Sequence, residues 1–399
     1  MTLPETEGHM TTTAVAMKSP KRRRGFRVSL RVFMLLVLVA GGGLGWKANK
    51  ARRIRRAVAE VQRLGGSAYY DYEFHATKDR NSIPRPEPRW LQRLLGPEYF
   101  HDVRYVSINF PVLAADEPSR IKDLAFLSDL KELQWLYLAN SGADDAAFHR
   151  LTPLPRLQVL SLYEPRVGDA GLAWLSGCHD LKMLTVSSPL CGDETARRVG
   201  RLKTLTKLGL YASKMTDEGV EALSSLDSLT RLDLFGENLG DRSLAVASRF
   251  PNLDWLTVGR LNRATNSGYG RLASLTKLCH LSLHGPSLAN WDMRSMAALT
   301  SVEILVLSET NLGRTAISAE SIPPSLRVVF VSNASIGDGS LDVIAKSPGL
   351  KTFEISDSEL SDQAIRRLRR QCPAVLSIIR RKNGQPRVIF SEIDILDLL

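Results

Sequence analysis

Apolar residues fall into a triplet, L-x-x-L-x-L, that stands clear at Leu205, Leu208 and Leu210 and returns 24 residues later at Leu229, Leu232 and Leu234. Followed in both directions, the triplet starts at Val103, Leu133, Leu157, Leu181, Leu205, Leu229, Leu253, Leu278, Val302, Leu326, Leu350 and Val375. The steps are 30, then five of 24, then 25, three of 24, and 25. The short run of alternating character at each start predicts a strand. A register kept over so many copies predicts a stacked supersecondary unit, each copy too small to bury its apolar face alone.

A second signal lies at position thirteen of each unit, occupied by Asp145, Asp169, Asp193, Asp217, Asp241, Thr265, Asn290, Arg314, Asp338 and Asp362. All but Arg314 are residues whose short side chain can accept a bond from the orphan N–H groups of a first helical turn, and an Asp charge also opposes the helix dipole there. Three residues further on the chain is mostly apolar, as at Phe148, Leu172, Val220, Leu244, Ile317 and Ile365, which suits the inward side of a helix. Every unit therefore predicts a strand, a turn and a helix capped by its own position thirteen.

Segments such as 167–175, VGDAGLAWL, and 215–223, MTDEGVEAL, resemble leucine-rich repeats of the helix-bearing kind, similar to those of ribonuclease inhibitor and F-box-associated proteins. The resemblance covers about 280 of the 399 residues and extends to bacterial leucine-rich repeat proteins with an N-terminal membrane anchor. It implies an α/β fold: a right-handed solenoid, or horseshoe, of about twelve repeats of 24 residues, with a parallel sheet on the concave face and short helices on the convex face. In one respect the chain departs from the pattern. Where the family has Asn or Cys after the strand, this sequence has Ser141, Pro165, Pro189, Ser213, Glu237, Leu261, Pro286, Thr310, Ala334 and Ser358. The turns must then satisfy their backbone without the usual ladder of buried Asn side chains.

On such a sheet, positions three, five and seven of each unit face solvent. In the ten units from Leu133 onward those sites hold Trp135, Tyr137, Tyr163, Tyr211, Phe235, Trp255 and Phe330, against about two aromatics expected from the chain's 7% background; aromatic side chains exposed beyond need mark contact surfaces. The densest part comprises Lys207 and Tyr211, then Arg231, Asp233 and Phe235, then Trp255, then His280 and His284. With Trp135, Tyr137 and Tyr163 these make the candidate partner-binding residues. The alternative is that they stack along the sheet and support one another.

Charge separates the chain into two parts. Residues 1–63 contain 14 Lys and Arg against 3 Asp and Glu, which accounts for the whole net charge of +11 and leaves 39 of each sign in the remainder. A neutral repeat region argues against nucleic acid as the partner. Residues 1–31 read as a basic arm, and residues 32–46 carry no charge between Arg31 and Lys47. As a helix they span roughly 22 Å, short of the ~30 Å of a hydrocarbon core, though flanking cations can snorkel. An uncleaved signal-anchor with the long following region exported is expected. A cleaved signal peptide and a soluble chain are the rival readings. Seven basic residues lie on either side of the apolar run, so charge does not decide orientation.

Residues 47–102 read as a basic juxtamembrane helix, a linker and an N-terminal cap. Ile54, Val58, Val61 and Leu64 recur at helical spacing among arginines, which suits either an anionic membrane surface or a solvated stop-transfer helix. Residues 68–74 read as a strand, the prolines of 82–88 as a linker, and Trp90, Leu91, Leu94 and Leu95 as a short helix covering the open end of the first repeat. The repeat domain is assigned to residues 103–380 and a C-terminal tail or cap to residues 381–399, with 388–399 a candidate closing strand.

Sequence signatures of chemistry are few. Phosphate-binding loops, zinc-protease helices, nucleophile elbows and paired C-x-x-C motifs are missing from the sequence. Cys279, His280 and His284 form one cluster, but the two histidines lie about 13 Å apart along an extended strand and cannot share one metal ion. Cys178, Cys191, Cys279 and Cys372 make no disulfide framework spacing. The expectation is a membrane-anchored, non-enzymatic scaffold with no cofactor or metal, whose concave face binds a protein or an envelope polymer; a spacer without a specific ligand is the alternative.

Overall fold

A computed structural model describes residues 29–73, 89–111, 119–164, 166–285, 293–313 and 318–333, then 335–336, 338–345, 347, 349–356, 363, 366–367, 370, 376–382 and 385–388. The basic arm before residue 29, the 82–88 linker, Asn290, Arg314, Asp362, Ile365, residues 368–369, Cys372 and the tail beyond 388 lie outside the described residues. The chain forms two compact units, Met1–Asn49 and Lys50–Leu399.

Helix α1, Leu30–Arg63, begins in the first unit and ends in the second. In the first unit its large apolar side chains, from Val32 to Val39, are exposed. Among the described residues it is the one helix long and apolar enough to cross a membrane, a property a signal sequence shares.

Within the second unit the 51–64 stretch behaves differently from either reading of the sequence. Ile54, Ala57, Val58, Val61 and Leu64 are buried in the hydrophobic core together with Val103, Val106 and Ile108 of the first repeat. The amphipathic face thus closes the end of the stack, and arginines such as Arg52, Arg53, Arg55 and Arg56 remain on the exposed side. Strand β1, Ser67–Tyr70, follows and pairs antiparallel with strand β2, Val103–Asn109. The strand expected over 68–74 is therefore shorter, and turns helical at 71–73. In helix α2, Arg89–Leu95, which the sequence reading made a lid over the first repeat, Leu91 and Leu95 are half-buried, whereas Trp90 and Leu94 are 66% and 73% exposed.

One strand per apolar triplet follows: β3 Trp135–Ala139, β4 Val159–Tyr163, β5 Met183–Ser187, β6 Lys207–Tyr211, β7 Arg231–Phe235, β8 Trp255–Gly259, β9 His280–His284 and β10 Ile304–Ser308. The series continues with β12 Val328–Ser332, β14 Thr352–Ser356 and β15 Leu376–Lys382. Strands β11, Asn311–Gly313, and β13, Ser335–Ile336, form a separate two-stranded sheet. Twelve strands, β2 to β15 without that pair, run parallel in sequence order. Leu208, Leu232 and Leu256 are direct register partners, as a shared inner row of leucines requires. Strand β16, Gln385–Val388, closes the sheet antiparallel to β15, slightly ahead of the region expected to fold back. The fold is a leucine-rich repeat solenoid.

In the middle repeats the triplet leucines are essentially inaccessible, with Leu205, Leu208, Leu210, Leu229, Leu232 and Leu234 all at 1% exposure or less. At about 1.5–3 kcal/mol for each fully buried leucine, stacking neighbours supplies what a single 24-residue unit lacks. Opposite the sheet lie short helices: α3 Asp145–Phe148, α4 Asp193–Val199, α5 Asp217–Glu221, α6 Asp241–Ala247, α7 Asn266–Arg271 and α8 Asp338–Ala345. Elsewhere, as at Ala125–Asp129, Ala173–Gly177 and Met293–Ala298, the expected helix tightens to a 3-10 turn, the form short connectors take.

Thr265 caps its own helix α7, accepting the Ser267 N–H at 3.2 Å, but the position-thirteen aspartates do not cap theirs. Asp145, Asp193, Asp217 and Asp241 are the first helical residues, and the caps before them are Asp144, Gly192, Thr216 and Gly240. The aspartates instead reach into the next repeat. Asp145 accepts the Gly168 N–H at 2.6 Å, and Asp169 accepts the Gly192 and Thr195 N–H groups at 3.0 and 2.9 Å. Asp193 accepts the N–H and hydroxyl of Thr216, both at 2.8 Å, and Asp241 those of Thr265, both at 2.6 Å. Asp217 accepts the Gly240 N–H at 2.9 Å, the Ser243 N–H at 3.0 Å and the Ser243 hydroxyl. Each unit thus caps its successor. Where the successor's own cap is a glycine, with no side-chain oxygen, the incoming carboxylate supplies the missing acceptor.

This arrangement also explains the glycine of the Asp-x-Gly pattern. A Cβ on Gly219 would lie 2.4 Å from an Asp193 carboxylate oxygen and 3.0 Å from the Asp193 Cα, and one on Gly171 would lie 2.5 Å from an Asp145 oxygen and 3.1 Å from the Asp145 Cα. Beyond the strands the turns are satisfied by side chains of the adjacent repeat, in place of an Asn ladder. The buried Glu164 carboxylate accepts the Ser141 N–H at 3.0 and 3.1 Å, Ser188 donates to the Val167 carbonyl at 2.5 Å, and Asn238 donates to the Ser213 carbonyl at 2.8 Å.

Candidate functional site

Alternation along each five-residue strand sends its second and fourth residues into the core and its first, third and fifth to the opposite face. Parallel pairing then aligns these into three rows across the repeats. The first row runs Met183, Lys207, Arg231, Trp255, His280, Ile304, and the third runs Ser187, Tyr211, Phe235, Gly259, His284, Ser308. Between them lie small or short residues, Thr185, Gly209, Asp233, Thr257 and Ser282. Lys207, Tyr211, Arg231, Asp233, Phe235, Trp255, His280 and His284 are brought together on four adjacent strands, as the sequence spacing implied.

Their geometry is a pair of stacked rows. In the first, the Arg231 guanidinium lies 4.2 Å from the Trp255 ring centre, and Trp255 stacks on His280 at 3.5 Å with the planes 6° apart. Arg231 also donates to Asp233 at 3.0 Å, and the Trp255 indole N–H donates to the Thr257 hydroxyl at 3.1 Å. In the third row Tyr211 stacks on Phe235 at 4.7 Å, and Phe235 meets His284 at 5.4 Å across Gly259. Glycine is required there, since a Cβ would lie 2.3 Å from a Phe235 ring carbon.

Trp135, Tyr137 and Tyr163 form a second cluster on β3 and β4. Tyr137 and Tyr163 are 5.8 Å apart, and Trp135 is 6.3 Å from Tyr105, an aromatic on β2 that precedes the counted units. Phe330 stands apart on β12. The two histidines that the metal reading paired are engaged on different neighbours, His280 with Trp255 and His284 with Phe235.

Burial, joined by the Arg231 charge and His284, lowers the His280 pKa to about 4. Burial also lowers that of His284, against the pull of Glu309 and Asp233. The His280 ring is therefore neutral at neutral pH. The Tyr211 phenol is pushed up to about 12, first by burial and then by the Asp233 and Tyr163 charges, so it remains a hydrogen-bond donor. Asp233 Oδ1 and His280 Nδ1 are buried without a partner among the described residues, leaving unmet polar capacity beneath the aromatic rows.

At the C-terminal ends of these strands the third row opens into a cavity of about 450 Å³ lined by Tyr211, Phe235, His284, Arg260, Glu237 and Glu309 among others. The last three were not found from sequence because they sit in the turns, one or two residues past the strand positions that alternation singles out. Arg260 and Glu309 adopt left-handed backbone, φ 56° and 55°, at the position where another repeat has Gly285. That conformation costs a non-glycine residue roughly 1–2 kcal/mol. Arg260→Gly is therefore expected to raise the thermal midpoint, by a net stabilisation of about 1 kcal/mol once the added chain entropy of glycine is subtracted. An unchanged or lowered midpoint in a thermal melt would show that the Arg260 side chain contributes contacts outweighing its backbone strain.

No family model matches the chain, and no curated protein matches it. Among solved structures, an internalin (inlF) from Listeria monocytogenes is similar at 17% identity over 72% of this chain and 92% of its own, with a TM-score of 0.44. An internalin C2 (inlC2) from the same organism is similar at 16% identity over 64% and 83%, with a TM-score of 0.30.

Proposed function

We propose that the chain is a membrane-anchored, non-enzymatic recognition scaffold. The bare face of the repeat sheet, from β6 to β9, binds a protein or an envelope polymer. The observation that carries this reading is the juxtaposition, on four neighbouring strands, of two aromatic rows with an open cavity rimmed by one arginine and two glutamates. Aromatic and arginine side chains dominate binding hot spots, and the short middle row leaves a channel between the two rows. Residues 32–46 serve as the anchor, with the repeats outside the cytoplasm. Protease added to intact cells should then digest the repeats, and complete protection would place them on the other side.

The test of the face is capture of a partner from detergent extract, followed by the triple variant Tyr211→Ala, Phe235→Ala and Trp255→Ala. Capture is expected to fall at least a hundredfold, about 3 kcal/mol, because truncation of hot-spot aromatics costs 2 kcal/mol or more each and is not additive. Circular dichroism should remain unchanged, because the three side chains lie outside the leucine core. Retained capture would remove this face as the site. A spacer without a specific ligand is the second reading, favoured by the mutual stacking of Trp255 on His280 and of Tyr211 on Phe235; repeated captures with no stoichiometric partner would support it.

A further inference from the structure

Helix α2 presents a surface that the recognition face does not use. Trp90 and Leu94, one helical turn apart, are 66% and 73% exposed, an apolar stripe on a seven-residue helix that leaves it unfilled by the core. Arg93 lies between them, also exposed. The helix is fixed to the cap: its last residue, Leu95, accepts a hydrogen bond from the Arg55 guanidinium at 2.7 Å. Gln92 lies 3.3 Å from the His101 ring, and the next residue, Asp102, pairs with Lys50 at 2.8 Å. From Leu95 back to Gln92, α2 therefore runs from the level of Arg55 towards the level of Lys50.

Charge points to the same surface. Arg52, Arg56 and Arg93 are exposed and have no ion-pair partner among the described residues, whereas Arg53 and Arg55 face Asp129 and Glu98. Only residues 47–50 separate the uncharged run 32–46 from Ala51, the first core-buried residue of the cap. An exposed tryptophan and leucine on one helix, in a cap that also carries exposed arginines outside any ion pair, match an anionic lipid interface, where the indole sits at headgroup depth and guanidinium groups meet phosphate.

We infer that the N-terminal cap of the solenoid docks on an anionic membrane surface, with Trp90 and Leu94 inserted at the interface and Arg52, Arg56 and Arg93 on the headgroups. This rests on the membrane reading of residues 32–46, and the test separates the two. Full-length protein with Cys279→Ser and Cys372→Ser is spin-labelled singly at Leu94→Cys, at Leu38→Cys in the apolar run, or at the exposed Ser224→Cys. It is reconstituted into vesicles of equal parts phosphatidylcholine and phosphatidylglycerol. The label at position 94 should be quenched by oxygen and shielded from an aqueous nickel chelate, like the label at 38 and unlike that at 224. Each arginine at an anionic surface contributes about fivefold. The variant Arg52→Gln, Arg56→Gln and Arg93→Gln should accordingly lower the docked-to-free ratio about a hundredfold and return the label to water.

A label at 94 that matches 224 while 38 reports lipid overturns the docking and leaves the anchor standing. A label at 38 in water with 94 in lipid overturns the anchor and supports the docking. Shielding of 94 from both reagents means a second protein copy covers the stripe, which overturns the lipid assignment. Leu94 is solvent-exposed, so its replacement leaves the fold intact, and circular dichroism checks this directly.

Discussion

Asp217→Ala is expected to lower the unfolding free energy of the repeat unit by about 2–3 kcal/mol, because it removes one carboxylate that serves three donors. The N–H groups of Gly240 and Ser243 and the Ser243 hydroxyl all converge on Asp217 Oδ1. Gly240, the cap of α6, has no side-chain oxygen to replace it. Asp217→Asn keeps an acceptor without the charge and should cost about half as much. Asp227→Ala, at an exposed site in the same repeat, should change the midpoint of urea unfolding by less than about 0.5 kcal/mol. If Asp217→Ala and Asp227→Ala coincide, the capping between repeats contributes nothing. One member of this ladder, Asp169, is acid-sensitive. Burial opposes ionisation of Asp169, but hydrogen bonds from Thr195 and Gly192 outweigh it and hold its pKa below the ordinary value. Its contribution is complete above the ordinary carboxylate range and disappears as pH falls through the lowered pKa. An Asp169→Asn chain should lack that part of the acid-induced loss.

Val61→Asp is expected to have a larger effect, at least about 4 kcal/mol, since it places a carboxylate at a site of 0% exposure in the core with no cation beside it. The damage should be local first. Hydrogen exchange of the Val106 and Ile108 amides should accelerate well before those of Leu232 and Leu256, because in a stacked array each repeat leans only on its neighbours. Uniform acceleration across the sheet would mean that the solenoid unfolds as one unit and has no separable end. A leader removed by cleavage would have to be cut before Ile54, since Ile54, Ala57, Val58, Val61 and Leu64 belong to the folded core.

The strands were legible because a period of 24 residues with period-two alternation has one structural solution, and Leu208, Leu232 and Leu256 lie where it requires. The cap helix was not. Ile54, Val58 and Val61 give the same apolar stripe whether it meets lipid or a protein core, and periodicity alone does not name what covers it. Trp90 and Leu94 misled for the converse reason, an apolar stripe that the core does not receive. The aspartates were recognised as caps but assigned to their own helices; the displacement that carries a side chain into the next repeat is a property of the stack, invisible in any single unit. At the candidate site, Tyr211, Phe235, Trp255 and the histidines followed from alternation. Arg260, Glu237 and Glu309 lie in the turns, and at Arg260 and Glu309 side-chain direction depends on a left-handed backbone that only Gly285, Asn140 and Asn333 hint at.

The two flanking strands, β1 and β16, reverse direction relative to the twelve they enclose. A further molecule approaching either rim would meet a strand of the wrong polarity to continue the winding, and at β16 it would also meet Pro386, which cannot donate an amide. End-to-end growth into fibres is thereby discouraged at both rims, so crowding many such molecules together should leave them discrete.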